Sequence, residues 1–257
     1  MDDPEPLLTF WRAQDALFER VEPAWWGAVV SDARYPAVQD ANYARVETAE
    51  PVGLAEVESA LLPALERSAS ARSHVVVFRP GDQTDLIAEA STRGDRVTFD
   101  LVMVIQAVPG APEADADELV SLDAAFWSEH RSSLRLFDIP DEDVLDQLQA
   151  IERDRTVPAG RRWFVRRSDE RDARPDALAA LLVLERVGYL DHVVTFPDAR
   201  RRGHAEALTR TAVARAARMG AERVYLLAEP DSPAVRIYER VGFARAGHLA
   251  SWLSPRG

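Results

Sequence analysis

Read for the spacing of its apolar positions, the chain alternates helical and extended stretches from end to end. Leu7, Trp11, Phe18 and Val21 predict an amphipathic helix over 7–21, and Leu54, Val57, Leu61 and Leu65 predict a second over 54–67. Trp25 to Val30 reads as a turn and a short strand, and Asp40 to Tyr43 as a turn whose side chains bond their own backbone. His74 to Phe78 reads as a strand, Thr84 to Thr92 as a short helix stopped by Gly94, and Arg96 to Ile105 as a long strand. Further on, helices are expected over 118–129 and 141–153, the latter opening on Asp141, Glu142 and Asp143, which complement a helix dipole. Strands are expected over 161–167, 177–187 and 189–196.

The most informative pattern follows. An apolar, β-branched run stops at Pro197, three arginines come next, and Gly203 opens a segment with Ala205, Leu208, Ala212, Ala216 and Met219 at helical spacing. A strand, a basic turn and a helix start are thereby predicted. A helix start leaves backbone N–H groups unpartnered at the positive end of its dipole, so it suits an anion. Gly203 lets the backbone approach a phosphate closely, and Arg200, Arg201 and Arg202 add charge. The same residues also suit an ordinary connection with a solvated arginine face. After this helix, Gly220 is expected as a left-handed cap and Arg223 to Ala228 as a buried strand; Ser232, Pro233 and Gly242 frame a short helix carrying Tyr238.

Composition narrows the class. The 257 residues, 47% hydrophobic and 29% charged, suffice for one large or two small globular domains. No apolar run of about eighteen residues is present, and the acidic start is unlike a signal peptide, so a cytoplasmic protein that binds no membrane is expected. There is no cysteine, which excludes disulfides, cysteine-ligated zinc and a cysteine acyl-enzyme, and no metal site is expected. All 31 basic residues are arginine, so lysine Schiff-base chemistry is excluded too. A net charge of −12 argues against nucleic acid and favours cationic partners.

Two motifs now carry a resemblance. Arg200-x-x-Gly203-x-Ala205 resembles the pyrophosphate-binding pattern of the GNAT superfamily of acyl-CoA-dependent N-acetyltransferases. Asp231-x-x-Ala234-x-x-Ile237-Tyr238-x-x-x-Gly242-Phe243 resembles that family's second signature. Departures are Arg201 where a glycine is frequent, Asp231 in place of asparagine, and Glu206, a carboxylate beside the diphosphate site unless it points away. The resemblance implies an α/β fold with a mixed sheet. Acetyl-CoA is its implied co-substrate, with the diphosphate on the backbone of Arg201 to Ala205, His204 included, and the pantetheine arm along Val194, Thr195 and Phe196. Tyr238 is implied as the acid that protonates the leaving thiolate.

For the base, Glu185, Asp191 and His192 lie on or beside the strands expected at the acceptor; Glu185 is taken forward with Tyr238 as the catalytic pair. The order helix, strand, short helix, glycine, strand over 54–105 repeats that of the motif region, predicting a tandem GNAT-like protein with a degenerate domain at 1–106 and a competent one at 107–257. Ala107 to Asp117 reads as the linker. The first copy has acidic Ala49 to Gly53 where phosphate would need positive charge. The expected activity is direct acetyl transfer to a primary amine of a small molecule or peptide, by a monomer or homodimer. The alternative is an inactive coenzyme A-binding sensor or interaction module.

Overall fold

In the computed structural model the described residues are 4–108, 110, 116–119, 121–139, 141–168 and 174–255. Most of the expected linker and part of the expected loop over 168–176 lie outside them. The chain divides into two compact units: residues 1–102 with 246–257, and residues 103–245. The first break lies at 102/103, where the sequence suggests 106/107, and the described residues 246–255 belong with the first unit, an arrangement that no local pattern in the sequence signals.

The first unit opens with α1 (Glu5–Asp15), β1 (Arg20–Ala24) and β2 (Gly27–Ser31). The apolar stripe over 7–21 is thus split: Leu7 and Phe10 are buried on the helix, whereas Val21 lies on β1. Next come β3 (Tyr43–Val46), α2 (Leu54–Arg67), β4 (Arg72–Val77), α3 (Thr84–Arg93) and β5 (Arg96–Gln106). Antiparallel pairs join β1 to β2 and β2 to β3, and β4 runs parallel to β3 with α2 as the crossover. Val57, Leu61 and Leu65 of α2 bury their stripe against Val75 and Val77 of β4 and Trp252 near the chain's end.

The second unit repeats this order. Its elements are β6 (Asp117–Glu118), α4 (Ala124–Leu134), α5 (Glu142–Ile151), β7 (Arg162–Arg166), β8 (Ala177–Leu184), β9 (Val187–Thr195), α6 (His204–Arg218), β10 (Arg223–Ala228) and α7 (Pro233–Val241). The strand β11 (Ala244–Pro255) follows, its residues from 246 on counted in the first unit. Antiparallel pairs join β6 to β7, β7 to β8 and β8 to β9, and β10 runs parallel to β9 with α6 as the crossover. The first unit thus has three antiparallel strands and the second four, each followed by a helix, a parallel strand and a second helix, an α/β fold with mixed strand pairing.

Helix starts and stops follow their residues. Asp123 caps α4 by accepting from Phe126 N at 2.9 Å, so this helix begins six residues later than apolar spacing predicts. Asp141 caps α5 through Asp143 N and Val144 N, and that helix runs into a π-turn at Glu152–Thr156. Gly220 takes the left-handed conformation expected of it, at φ 87°. Ser232 stands at the N-cap of α7 without a side-chain bond; Pro233 supplies the fixed first turn. Close seating of α6 needs Gly188, because a Cβ there would lie 3.2 Å from Val224 Cγ2 and 3.4 Å from Ala216 Cβ.

Candidate functional site

Three features meet at the C-terminal end of β9. The first is a splay: β9 pairs with β10 only at Val187, Gly188 and Tyr189, so from Leu190 onward that edge has no β10 partner. Its other edge stays paired with β8, as far as Val194 opposite Leu178 and Thr195 opposite Ala177. Of the three residues expected to meet pantetheine, Thr195 turns its backbone groups toward the splay, whereas Val194, in phase with Phe196, turns its own toward β8. Phe196 does not offer its amide, which donates to Asp176 O at 3.0 Å while the ring is buried.

The second feature is the turn. Arg200, Arg201 and Arg202 are exposed, and Arg200 Nε donates to Thr195 O at 3.3 Å, tying the turn to the strand end. Arg201 at φ 64° and Gly203 at φ 83° both take the left-handed conformation, which turns successive N–H groups toward one side. Hence the family's frequent glycine at the Arg201 position: the backbone is left-handed there, and Arg201 adopts it at a cost of about 1–2 kcal/mol. Among the described residues, no hydrogen bond uses the amides of Arg201, Arg202, Gly203, His204 or Ala205, whereas Ala207 N donates to Gly203 O at 3.1 Å. The place of a Gly203 Cβ is open space.

Glu206 does not repel an anion in this turn. Its carboxylate accepts from Arg210 Nη2 at 3.0 Å and Arg240 Nε at 3.2 Å, and these bonds hold it below the usual carboxylate range. His204 begins α6 with its ring buried and, among the described residues, neither nitrogen hydrogen-bonded; burial pushes its imidazole down, against the pull of Asp176 at 3.8 Å. Asp231 is exposed in the turn between β10 and α7.

The third feature is Tyr238, 7% exposed on α7 and within electrostatic reach of Asp191, itself held in a chain of polar contacts. Burial, and then the charge of Asp191, push the Tyr238 phenol up to about 12, so it stays protonated at neutral pH. Asp191 is crowded by protein atoms, which disfavours its charge, yet Arg161 and His192 outweigh this and keep its carboxyl low. Half of its side-chain surface still reaches solvent, as for a residue lining a cleft. Arg161 Nη2 donates to Asp191 Oδ2 at 2.8 Å, and Arg161 Nε lies 3.1 Å from Glu152 Oε1 on the π-turn. Glu152 Oε2 in turn accepts from Trp163 Nε1 at 3.1 Å. Sequence reasoning missed Arg161 and Glu152, which lie 30 and 39 positions before Asp191 and share no local motif with it.

Glu185, expected as the base, is elsewhere. Glu185 and Arg186 form the exposed two-residue turn between β8 and β9, both with positive φ as a type I′ hairpin requires. The nine residues of β9, at about 3.3 Å each, put Glu185 about 30 Å from Thr195. Of the three proton acceptors considered, Asp191 and His192 remain at the site. Among the described residues no cluster of histidine, aspartate and glutamate has the grouping of a metal site.

In the first unit the matching helix start is closed by the protein itself. Val52 N donates to Gln83 Oε1 at 3.2 Å and Leu54 N to Glu89 Oε2 at 2.8 Å. Gln83 Nε2 also donates to Thr48 O at 3.0 Å and Glu50 O at 2.8 Å, which fixes the acidic loop over α2.

Comparison with known proteins agrees with this geometry. The model of the acetyltransferase (GNAT) family matches residues 119–243. No curated protein matches the sequence. Among solved structures, a functionally unknown conserved protein from Staphylococcus epidermidis ATCC 12228 is similar at a TM-score of 0.71 and 12% identity, over 93% of this chain and 95% of its own. A GCN5-related N-acetyltransferase from Kribbella flavida is similar at 0.62 and 18% identity, over 96% and 95%. Another, from Sphaerobacter thermophilus, gives 0.53 and 18%, over 78% and 68%. At these identities the likeness is one of fold, and it extends over nearly the whole chain. Residues 119–243 of this chain are a domain of the acetyltransferase (GNAT) family.

Proposed function

We propose that this chain transfers an acetyl group from acetyl-CoA directly to a primary amine, using its second unit alone. The observation that carries the reading is the turn at 200–205: five uncommitted amides at a helix start, two left-handed residues and three exposed arginines, set where β9 and β10 separate. That arrangement suits a diphosphate, since N–H donors, dipole and guanidinium groups all favour the same charge. The splayed edge of β9 suits an amide-bearing arm, and an N–H there would polarise a thioester carbonyl.

Tyr238 is the acid. A buried phenol that stays protonated can give its proton to a departing thiolate, and one positioned acid is worth about 10²–10⁴-fold. Asp191 has two roles: its charge adds to burial in raising the Tyr238 phenol, and its solvent-reaching carboxylate attracts an ammonium acceptor. Arg161, buried between Asp191 and Glu152, keeps that carboxylate ionised and in place. With no cysteine in the chain, attack by the amine itself on the thioester is the simplest route.

The test is acetyl transfer from acetyl-CoA to a panel of primary amines, with Tyr238→Phe beside the wild type. Turnover in the wild type, largely lost in Tyr238→Phe while acetyl-CoA binding is kept, is expected. Binding without turnover in either form would instead make the protein a coenzyme A-binding sensor.

A further inference from the structure

A buried polar pair in the second unit has no part in the chemistry so far. His192 stands where β8 and β9 change register, between the pairs Leu178 with Val194 and Ala180 with Asp191. Its φ is 53°, a left-handed conformation that costs a non-glycine residue on the order of 1–3 kcal/mol and persists only where the surroundings enforce it. Here they do. Trp163, His130 and Phe137 box the ring at centroid distances of 5.0, 5.1 and 5.2 Å, and Asp191 Oδ1 accepts from His192 N at 2.6 Å.

The ring's Nε2 lies 2.6 Å from Ser133 Oγ, a fully buried hydroxyl on α4. Either atom can donate in principle, and the second bond of Ser133 decides which does. Ser133 Oγ lies 2.7 Å from the carbonyl oxygen of His130, which can only accept. A hydroxyl has one proton, and it goes to that carbonyl, so toward His192 the oxygen is an acceptor. The imidazole proton therefore sits on Nε2. Burial pushes His192 down to about 4 and His130 down to about 2, so both rings are neutral at pH 7 and each has a single N–H. Of the charged groups acting on His192, Asp191 favours protonation and Arg161 opposes it.

We propose that Ser133 is a positioning residue that holds His192 as the Nε2–H tautomer and so presents Nδ1, the nitrogen nearer the backbone of the splayed strand, as the acceptor of the amine's proton. This rests on the amine-acetylation reading above. In the step, an N–H bond of the acceptor ammonium breaks and its proton goes to Nδ1. The nitrogen's freed electron pair then forms the bond to the acyl carbon as the carbon–sulfur bond breaks; the departing thiolate takes the Tyr238 proton, and the surplus proton on the new amide nitrogen goes to the Tyr238 phenolate. The resulting imidazolium lies beside Asp191 and returns its proton to solvent. Ser133 acts only through His192.

The test is a long-range ¹H–¹⁵N spectrum of the full chain with ¹⁵N-labelled histidine at pH 7, beside steady-state kinetics. Among the five histidines, His192 is assigned by the signal lost in His192→Gln. Expected are a protonated Nε2 and a bare Nδ1 in the wild type, a mixture of both tautomers in Ser133→Ala, and a roughly tenfold fall in kcat with KM for acetyl-CoA unchanged. A protonated Nδ1 in the wild type overturns the proposal even if the chain turns over, and so does a Ser133→Ala spectrum identical to the wild type. The wild-type spectrum needs neither substrate nor a substitution at Ser133, so it separates failure of this proposal from failure of the enzyme reading. A wild type that acetylates no amine overturns the proton-transfer step whatever the tautomer.

Discussion

The two units build the same strand, helix and parallel strand, and finish the helix start in opposite ways. At α2 the donors are taken by Gln83 and Glu89, so a carboxylate of the protein itself stands where an anion would otherwise go. At α6 the amides of 201–205 have no protein acceptor among the described residues, and three arginines stand beside them. Backbone geometry follows the same division. Gly53, before α2, has φ −83°, an extended conformation open to any residue, whereas Gly203, before α6, has φ 83°. A common fold thus yields one open turn and one closed corner; a few side chains make the difference, not the topology.

That contrast can be broken with one matched pair of substitutions, which also has the largest expected effect. Gly203→Glu adds a carboxylate and a Cβ at a left-handed residue in the open turn, and is expected to weaken acetyl-CoA binding by at least about 1,000-fold, roughly 4 kcal/mol. Gly53→Glu in the first unit is expected to leave the Kd unchanged. Titration calorimetry of both variants checks this, and equal losses would erase the distinction. Next in size is Tyr238→Phe, expected to lower kcat by about 10²–10³-fold with KM for acetyl-CoA unchanged.

The second unit is also expected to be the more acid-sensitive in one respect. His130 and His192 are buried neutral, at about 2 and about 4, whereas an unfolded histidine titrates at about 6.5. Unfolding therefore takes up protons below that value. The stability of keeping both rings neutral is fully present above pH 6.5 and is lost as pH falls toward 4, by about 2 kcal/mol per ring at pH 5. Thermal melts at pH 7 and pH 5 measure it, and His192→Gln should remove about half of the difference. In the first unit, Gln83→Ala strips partners from Val52 N and two carbonyls, for an expected loss of about 1–3 kcal/mol in denaturant melts with no gain of a second acetyl-CoA. Smallest of all, Glu185→Ala at the hairpin turn should leave kcat and KM unchanged.

Much of the open turn was legible, because its signals are local. Arginines after a strand end, Gly203 at a helix start and apolar spacing down α6 all fall within twenty residues, and even Arg201 stood out as a non-glycine where the backbone proves left-handed. The closed corner was half legible: Ala49 to Gly53 is visibly acidic, but the stopper comes from Gln83 and Glu89, about thirty positions away. Glu185 misled because its type I′ turn is made by Glu-Arg rather than by the usual Asn-Gly, so nothing punctuates the apolar run. The bonds among Ser133, His192 and His130, and the bridge through Arg161, depend on a strand irregularity and a π-turn that side-chain periodicity does not encode.

The most direct test is the number of acetyl-CoA molecules bound per wild-type chain, read by titration calorimetry. One is expected, held by the turn at 200–205. A stoichiometry of two, or one that survives Gly203→Glu, would mean that the first unit also takes the anion and would contradict the division of labour between the two turns.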